Sequence, residues 1–530
     1  MNRSLLPFTK VPQFSERDVA YATQDTRLRP FYKYAPSLEG LRAALDDKAQ
    51  EHTPRSVLVE ALKEQYAPLG PSEALQKQIA SLESPNTFTV TTAHQPSLFT
   101  GPLYYIYKII STINLARQLE AAYPDYHFVP IFITGGEDHD FEEINHLQLF
   151  GKTITWENEE QGAVGKMSTQ TLQPVLEEVK DVLGDSPKAA ELYEMLKTAV
   201  ESHERYADTA RHLTHLLFKG HGLVILDPSH PKLKQTFTPY IKKEIFGQPS
   251  KALVEKTVAE LEKVGFSEQA YPREINFFYL GEDFRERIVA EDGRYQVLNQ
   301  SISWSEEELS AEIEEHPERF SPNVVMRPIY QEHILPNLAY IGGGGELAYW
   351  LERKAHFEHF GLNFPTLIRR NSVLFVDKGT KKRLDKLELQ TTDLFGDVEA
   401  LIKNYVKEHT ENEISLKAEK EALEAIFKQV EEKAGQVDPT LVKAAAAEGA
   451  RQLNSLEQLE GKLMKAEKQR HDTAVNQMRK LKEKLFPNNG LQERYDNFMM
   501  YYLKYGDGFF GLLLDALQPL EEGFIVLTDD

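Results

Sequence analysis

The chain has 530 residues, no cysteine and a formal net charge of -21, from 61 Lys plus Arg against 82 Asp plus Glu. That length exceeds one compact core and points to about three domains at ~150 residues each. The acidic balance argues against a broad grip on nucleic acid or anionic lipid. The absence of cysteine excludes disulfides, thiol nucleophiles, Cys-ligated zinc and iron–sulfur clusters.

With 41% hydrophobic and 27% charged residues, and no uncharged run near the ~18 residues of a membrane span, the expectation is a globular protein without a membrane partner. Residues 1–7 lack the apolar region and cleavage site of a signal peptide, which places the protein in the cytoplasm.

Residues 1–155 read as an N-terminal helical segment followed by the first half of an α/β core. Thr89–Ala93 is a strand running into His94-Gln95-Pro96, and Phe128–Ile133 is a second, ending at Gly135-Gly136-Glu137-Asp138-His139-Asp140. A helix, Tyr104–Glu120, lies between them. Strand, helix, strand in about sixty residues is the βαβ pattern, and ligands of open α/β sheets sit beyond the carboxyl ends of the strands.

Residues 156–320 continue the core with connective insertions. Trp156–Ser168 is a looped excursion whose Gly165-Lys166-Met167-Ser168 is an incomplete match to the lysine loop of class I aminoacyl-tRNA synthetases; a surface turn is the plainer reading. Leu223–Leu226 is a buried strand ending at Asp227. A helical insertion over Lys232–Val264 and strand-like runs Asn276–Leu280, Arg287–Ala290 and Tyr295–Leu298 suit a side wall over the sheet.

Residues 321–377 return to the core. Arg327 and Gln331 precede the apolar run Leu338–Ile341, then Gly342, Gly343, Gly344 and Gly345 lead into a helix over Glu346–Phe360. Such a block either leaves amides open to an anion at a helix N-terminus or is a tight turn. Phe364–Arg370 adds a strand with basic residues at its end.

From 378 to 486 charges interleave with apolar residues at helical spacing, with one seam over Leu416, Leu423, Ile426, Val430 and Ala434 and another from Leu456 to Leu485. Asp438 and Pro439 break them, as N-cap and first helical residue. This is an antiparallel α-helical coiled-coil arm, either a dimer surface or a hairpin packed on itself. Residues 487–530 return with a helix over Leu491–Lys504, a second to Leu517, and a strand at Phe524–Leu527, an edge or a return to the main sheet.

His94 at a strand end can bind phosphate or act as an acid or base. Gln95, Tyr104 and Lys108 add polar contacts, with Gly101 at the turn. Glu137, Asp138, His139, Asp140, Glu142, Glu143 and His146 crowd five carboxylates and two imidazoles into ten residues. Such a group is costly to bury unless it meets a cation, an amine or its own members. Its His and Glu spacing matches no metalloprotease, so amine recognition with acid–base work is preferred to a metal, and no metal ligands are assigned.

These residues also carry a resemblance. Thr92-Ala93-His94-Gln95-Pro96-Ser97-Leu98-Phe99-Thr100-Gly101-Pro102-Leu103-Tyr104, with Glu137-Asp138-His139-Asp140-Phe141-Glu142-Glu143-Ile144-Asn145-His146, closely resembles the bacillithiol biosynthesis cysteine-adding enzyme family, of BshC type. Met326-Arg327-Pro328 with Gln331, and Gly342–Glu346 with Tyr349 and Trp350, resemble the later family blocks.

The resemblance implies a Rossmann-like parallel sheet core, a coiled-coil dimerisation arm, and a ligase that adds L-cysteine to glucosaminyl-malate in the last step of bacillithiol synthesis, with ATP as the activating cofactor. On that basis His94, Glu137, Asp138 and His139 are the catalytic candidates. Gln95, Gly101, Tyr104, Lys108, Asp140, Asn145, Arg327, Gln331, Glu346, Tyr349, Trp350 and Arg370 are the substrate candidates, and Gly342–Gly345 the cofactor candidates. Gly344 departs from a proline common in the family, and without cysteine the thiol cannot be held on Cys-ligated zinc. The competing reading is a non-catalytic nucleotide-binding scaffold that acts through its arm.

Overall fold

In the computed structural model, which describes residues 1–410 and 414–529, the chain forms two compact units. One comprises Arg3–Leu374 with Glu493–Val526, and the other Met1–Asn2, Phe375–Gln492 and Leu527–Asp530. The three core segments expected from the sequence therefore belong to one body.

The main sheet of the larger unit is built, in chain order, from β1 (Thr87–His94), α1 (Tyr104–Ala122), β2 (His127–Thr134), α2 (Tyr206–Leu217), β3 (Val224–Leu226), α3 (Pro231–Gly247), α4 (Arg327–Ile334), β4 (Asn337–Gly342), α5 (Gly344–Trp350) and β5 (Thr366–Arg369). The strand order is β5-β4-β1-β2-β3, and every pairing is parallel. Side chains alternate between two apolar clusters. Val129, Ile131 and Ile133 of β2 enter one, while Phe128 enters the other with Phe88 and Val90 of β1. With both faces dry, these strands read as near-continuous apolar runs in the sequence.

The winding fixes the ligand position. From β1 the chain steps outward to β2 and β3, then returns to lay β4 on the other side of β1. The strand order reverses between β1 and β4, and a crevice opens at their carboxyl ends. Thr92 of β1 donates its hydroxyl to the Ile341 carbonyl of β4 at 2.8 Å, closing the sheet just below that crevice.

A separate antiparallel sheet runs in the order Ser303–Trp304, Arg294–Val297, Arg285–Glu291, Phe277–Leu280, Phe320–Pro322. Phe278 pairs with Arg287 on one side and Ser321 on the other. This is the expected side wall, and it delivers Arg285 and Ser321 to the site.

Several local expectations need correction. The helix read over Glu346–Phe360 is two, α5 and Lys354–Phe360, each only two turns long. The tail helix is a short 3-10 turn, Gln492–Arg494, followed by Met499–Tyr505. The last strand, Phe524–Thr528, does not join the main sheet; it pairs between Asn2–Leu6 and Val373–Val376. No helix begins at Pro439, because Asp438 accepts from Thr440 N at 2.8 Å and the helix starts at Leu441.

In the smaller unit, helices Lys417–Val437 and Leu441–Arg470 pack antiparallel, and Asp472–Leu485 follows after a break at His471. Lys420 pairs with Glu460 at 2.7 Å, and a Cβ on Gly449 would stand 2.9 Å from the Phe427 ring. Nearer the hairpin bend Gly435 faces Val442. Ile426, Val430 and Leu459 of the seams remain exposed. Residues 411–413, within the arm segment drawn from the sequence, lie outside the described residues.

Candidate active site

A cavity of about 540 Å³ occupies the crevice. His94 and Gln95 from the end of β1, Glu137 and Asp138 after β2, Arg327 and Gln331 of α4, Gly343, Gly345, Glu346 and Tyr349 around α5, and Arg370 after β5 all line it. Tyr104 at the start of α1 is the last of the sequence-predicted residues on the wall. His94, Gln95, Glu137, Asp138, Gly343 and Arg370 sit at or just beyond strand ends, as the parallel topology requires, and Arg327, Gln331 and Tyr349 come from helices.

His94 Nδ1 lies 2.9 Å from the Gln95 carbonyl and Nε2 lies 3.1 Å from the Tyr104 hydroxyl. A carbonyl can only accept, so Nδ1 carries the proton and Nε2 presents its lone pair to Tyr104. Burial, helped by the nearby Lys108 ammonium, pulls the imidazole down to about 4, and it is neutral at physiological pH. The ring sits between a base's geometry and a basicity that a bound anion would have to restore.

The lining of the cavity carries one group of carboxylates and one group of arginines. On the acidic wall, Gln95 Nε2 donates to Asp138 Oδ2 at 2.8 Å and Glu143 Oε2 at 3.1 Å, holding two carboxylates close together. Glu137 is paired with the fully buried Lys234 at 2.7 Å. On the basic wall, Arg370 pairs with Glu493 at 2.8 Å and lies over the Tyr104 ring. Arg327 has only neutral partners, Gln331 Oε1 and the Tyr349 hydroxyl, both at 3.1 Å. Arg494 lies over Tyr104 and makes no ion pair among the described residues.

An ion pair links a buried lysine to a carboxylate, 28% exposed, on the cavity wall. Lys108, wholly inaccessible, donates to both oxygens of Glu346 at 2.8 Å. It also donates to the Ala93 carbonyl. Burial alone would raise the Glu346 carboxyl, but Lys108 and the Gly343 N–H outweigh it and hold the group at about 2. Glu346 Oε2 accepts from Gly343 N at 2.9 Å, so that amide of the glycine block already holds an internal carboxylate.

Some expected contact residues lie off the wall, for reasons the structure supplies. Trp350 is fully buried and stacks on Tyr340 at 4.5 Å. Lys108 positions Glu346 from below. Gly101 has φ of +58° and serves the turn, where a Cβ would stand 2.8 Å from Ser97 Cβ. Gly342 is buried in β4. Gly344 packs against Asp18, whose carboxylate would meet a Cβ at 2.1 Å and which pairs with Arg369 at 2.7 Å. Glycine at 344 is thus matched to a buried carboxylate that would obstruct a proline.

The acidic run divides. Phe141–Ile144 is a single helical turn and His146 opens a strand, so Glu143 and His146 do not share a helix face. Asp140 is exposed, while Asn145 bonds His146 and the Trp156 amide. His139 is off the wall but engaged: its Nδ1 accepts from Arg285 at 2.8 Å.

Arg285, Arg494, Lys234 and Tyr330 are site residues the sequence reading did not reach. Arg285 donates to Ser321 Oγ at 3.1 Å and approaches Asp138 at 3.4 Å. Among the described residues no group of three or more His, Asp or Glu is placed to hold a metal, and no helix is long and apolar enough to cross a membrane.

A doubly wound parallel sheet, with a polar cavity where its strand order reverses, defines a Rossmann-like α/β ligand-binding protein. Residues 1–371 match the family model for the bacillithiol biosynthesis BshC N-terminal Rossmann-like domain, and residues 373–528 that for the BshC C-terminal coiled-coil domain. The chain belongs to the BshC family. A relative from Flavobacterium johnsoniae named "Putative cysteine ligase BshC" is 42% identical over 97% of this chain and 97% of its own. One of the same name from Flavobacterium psychrophilum is 41% identical over 99% of each chain, and one from Bacillus cereus is 28% identical over 92% of this chain and 93% of its own.

Proposed function

We infer that this chain is a ligase that joins L-cysteine to glucosaminyl-malate in the cytoplasm, completing bacillithiol, with ATP activating the cysteine carboxylate. The observation that carries this reading is the division of one cavity into an acidic wall and an arginine wall. The aminosugar conjugate carries an amine and two carboxylates, and cysteine an ammonium and a carboxylate, so both substrates need opposite charges within a few ångströms.

Bound ATP would supply the leaving group that turns the cysteine carboxylate into an acylating agent. The residues present suit its phosphates: Arg494 has no ion-pair partner and Arg327 has only neutral ones. Asp138 and Glu143, already drawn together by Gln95, hold the attacking amine. His94 Nε2 takes the proton that nitrogen releases as the amide bond forms, and the Gln95 carbonyl keeps the proton on Nδ1. An anion on the arginine wall raises the imidazole's affinity for that proton, so basicity appears when substrate is bound.

The arm is read as the contact between two copies, since Ile426, Val430 and Leu459 on its seams are exposed. Purified protein incubated with cysteine, glucosaminyl-malate and ATP is expected to yield the coupled thiol by mass spectrometry, and His94→Ala to lose it. Failure under every nucleotide and metal condition, with His94→Ala behaving as wild type, would leave the scaffold reading in its place.

A further inference from the structure

A second cavity, of about 820 Å³, lies on the far side of Glu137, at the carboxyl ends of β2 and β3. Lys166, Arg205, Arg211 and Arg319 line it, and they are unequally matched. Arg319 is taken up by Glu312 and Tyr279. Arg211, 6% exposed, donates through Nη2 to Asp208 at 2.7 Å, but its Nε is buried with no partner. Lys166 Nζ reaches only the Gly281 carbonyl at 2.9 Å, and Arg205 makes no side-chain hydrogen bond or ion pair among the described residues.

Backbone geometry adds to this charge. Arg205 immediately precedes α2, a helix of 12 residues whose N-terminus has no side-chain cap, and Ala207 and Asp208 of its first turn are on the cavity wall. The Lys166 turn is held against the strand end by Gly165 N, which donates to Gly136 O at 2.8 Å. A Cβ at Gly165 would stand 2.7 Å from that same oxygen, so only glycine lets the turn lie this close.

Most of the acidic side chains around the cavity already have partners of their own. Glu137 is neutralised by Lys234, Glu64 is paired with Lys232 and Asp208 with Arg211, while Glu318 lies 3.4 Å from His316 Nδ1. Asp227 accepts from Ser229 N and Oγ, and burial pushes its carboxyl up toward the neutral form. Glu282 is exposed. Lys166 in turn is pulled down, first by burial and then by Arg205, whose like charge it faces. Converging cations beside an uncapped helix start favour an oxyanion.

We propose that this second cavity is a separate binding site for a phosphate-type oxyanion, held by Lys166, Arg205 and the first turn of α2, with Arg211 beneath. The anion is either the polyphosphate tail of a nucleotide or a free inorganic phosphate species. The site stands whether or not the chain is a cysteine ligase, because its binding is read without turnover.

The test uses the full-length protein and inorganic pyrophosphate, read by amide hydrogen exchange over 205–209 and by calorimetry. Pyrophosphate is expected to slow exchange in that segment, Arg205→Gln and Lys166→Gln each to weaken binding there about tenfold, and Arg494→Gln in the first cavity to leave the protection in place. ATP protecting the same amides identifies the nucleotide tail as the source, and protection by pyrophosphate alone identifies the free anion. Three results would overturn the proposal: no slowing at saturating pyrophosphate, protection that neither substitution alters, or equal protection by malonate at matched ionic strength.

Discussion

Replacing Lys108 with methionine tests whether the site rests on its ion pair with Glu346. Methionine keeps most of the stem's volume and removes the charge that both Glu346 oxygens share. In the intact protein the Glu346 carboxyl is held at about 2 against an ordinary 4.5, a gap worth about 3 kcal/mol at neutral pH. The folded value is the lower one, so this stability is complete above about pH 4.5 and is lost as pH falls toward 2.

In Lys108→Met, Gly343 N–H and the Tyr340 hydroxyl still reach Glu346, but burial now prevails and the carboxyl rises above its ordinary value. The linkage changes sign: stability is then greatest in acid and declines as pH rises through the new value. Removing one partner of a buried pair costs about 3–5 kcal/mol.

Urea denaturation of wild type, Lys108→Met and Lys108→Met/Glu346→Gln at pH 5 and pH 8 measures both effects. The single variant should lose that amount at pH 8 and less at pH 5. The double variant should recover more than half, because an amide needs no counter-charge. A single-variant loss below about 1 kcal/mol, or a double variant no more stable than the single, refutes the account.

Two further outcomes follow from the same geometry. Asn497→Ala removes donors to the Phe99 and Gly101 carbonyls, at 3.1 and 2.7 Å, from a turn in which Phe99, Thr100 and Gly101 all have positive φ. Chemical denaturation should show a loss of about 2–4 kcal/mol, and kcat should fall with it as the His94–Tyr104 contact loosens. Because the free His94 imidazole titrates at about 4, kcat/KM should show no acid limb from this group between pH 6 and 8, with loss only below pH 5; a limb near 6.5 would mean the ring is not buried as described. The same depressed value contributes stability that is complete above about pH 6.5 and is lost as pH falls through 4.

How much of this was legible depended on how local each cause was. The β1 and β2 strand ends could be read because parallel strands covered on both faces must be apolar throughout, so His94 and Glu137–Asp140 stand out where the run stops. The glycine block was left between an anion nest and a tight turn, although a further sign was present three residues on: a Glu at that spacing from a helix start folds back onto the N-cap amide, as Glu346 does onto Gly343. Lys234 carried no signal of its own, since burial of a lysine is decided by a partner 97 residues away in the chain. Arg285 arrives through strand pairing in the side wall, and pairing register is not visible in a single strand's pattern.

Arg494 was illegible for a reason that also explains how the site tolerates the arm. Glu493, the first residue of the returning chain, accepts from Arg370 Nη2 at 2.8 Å, Ser372 Oγ at 3.1 Å and Val373 N at 3.1 Å, so the outgoing and returning chains are fastened together at one buried carboxylate. With the ends pinned, inserting many residues between them adds little closure cost, about 0.6 kcal/mol per doubling of length. The same returning segment completes the site: residues 493–497 supply the donor to the Phe99–Gly101 turn, the carboxylate that pairs with Arg370 and the Arg494 guanidinium over Tyr104, while Arg327 is held by Gln331 and Tyr349 from the earlier chain.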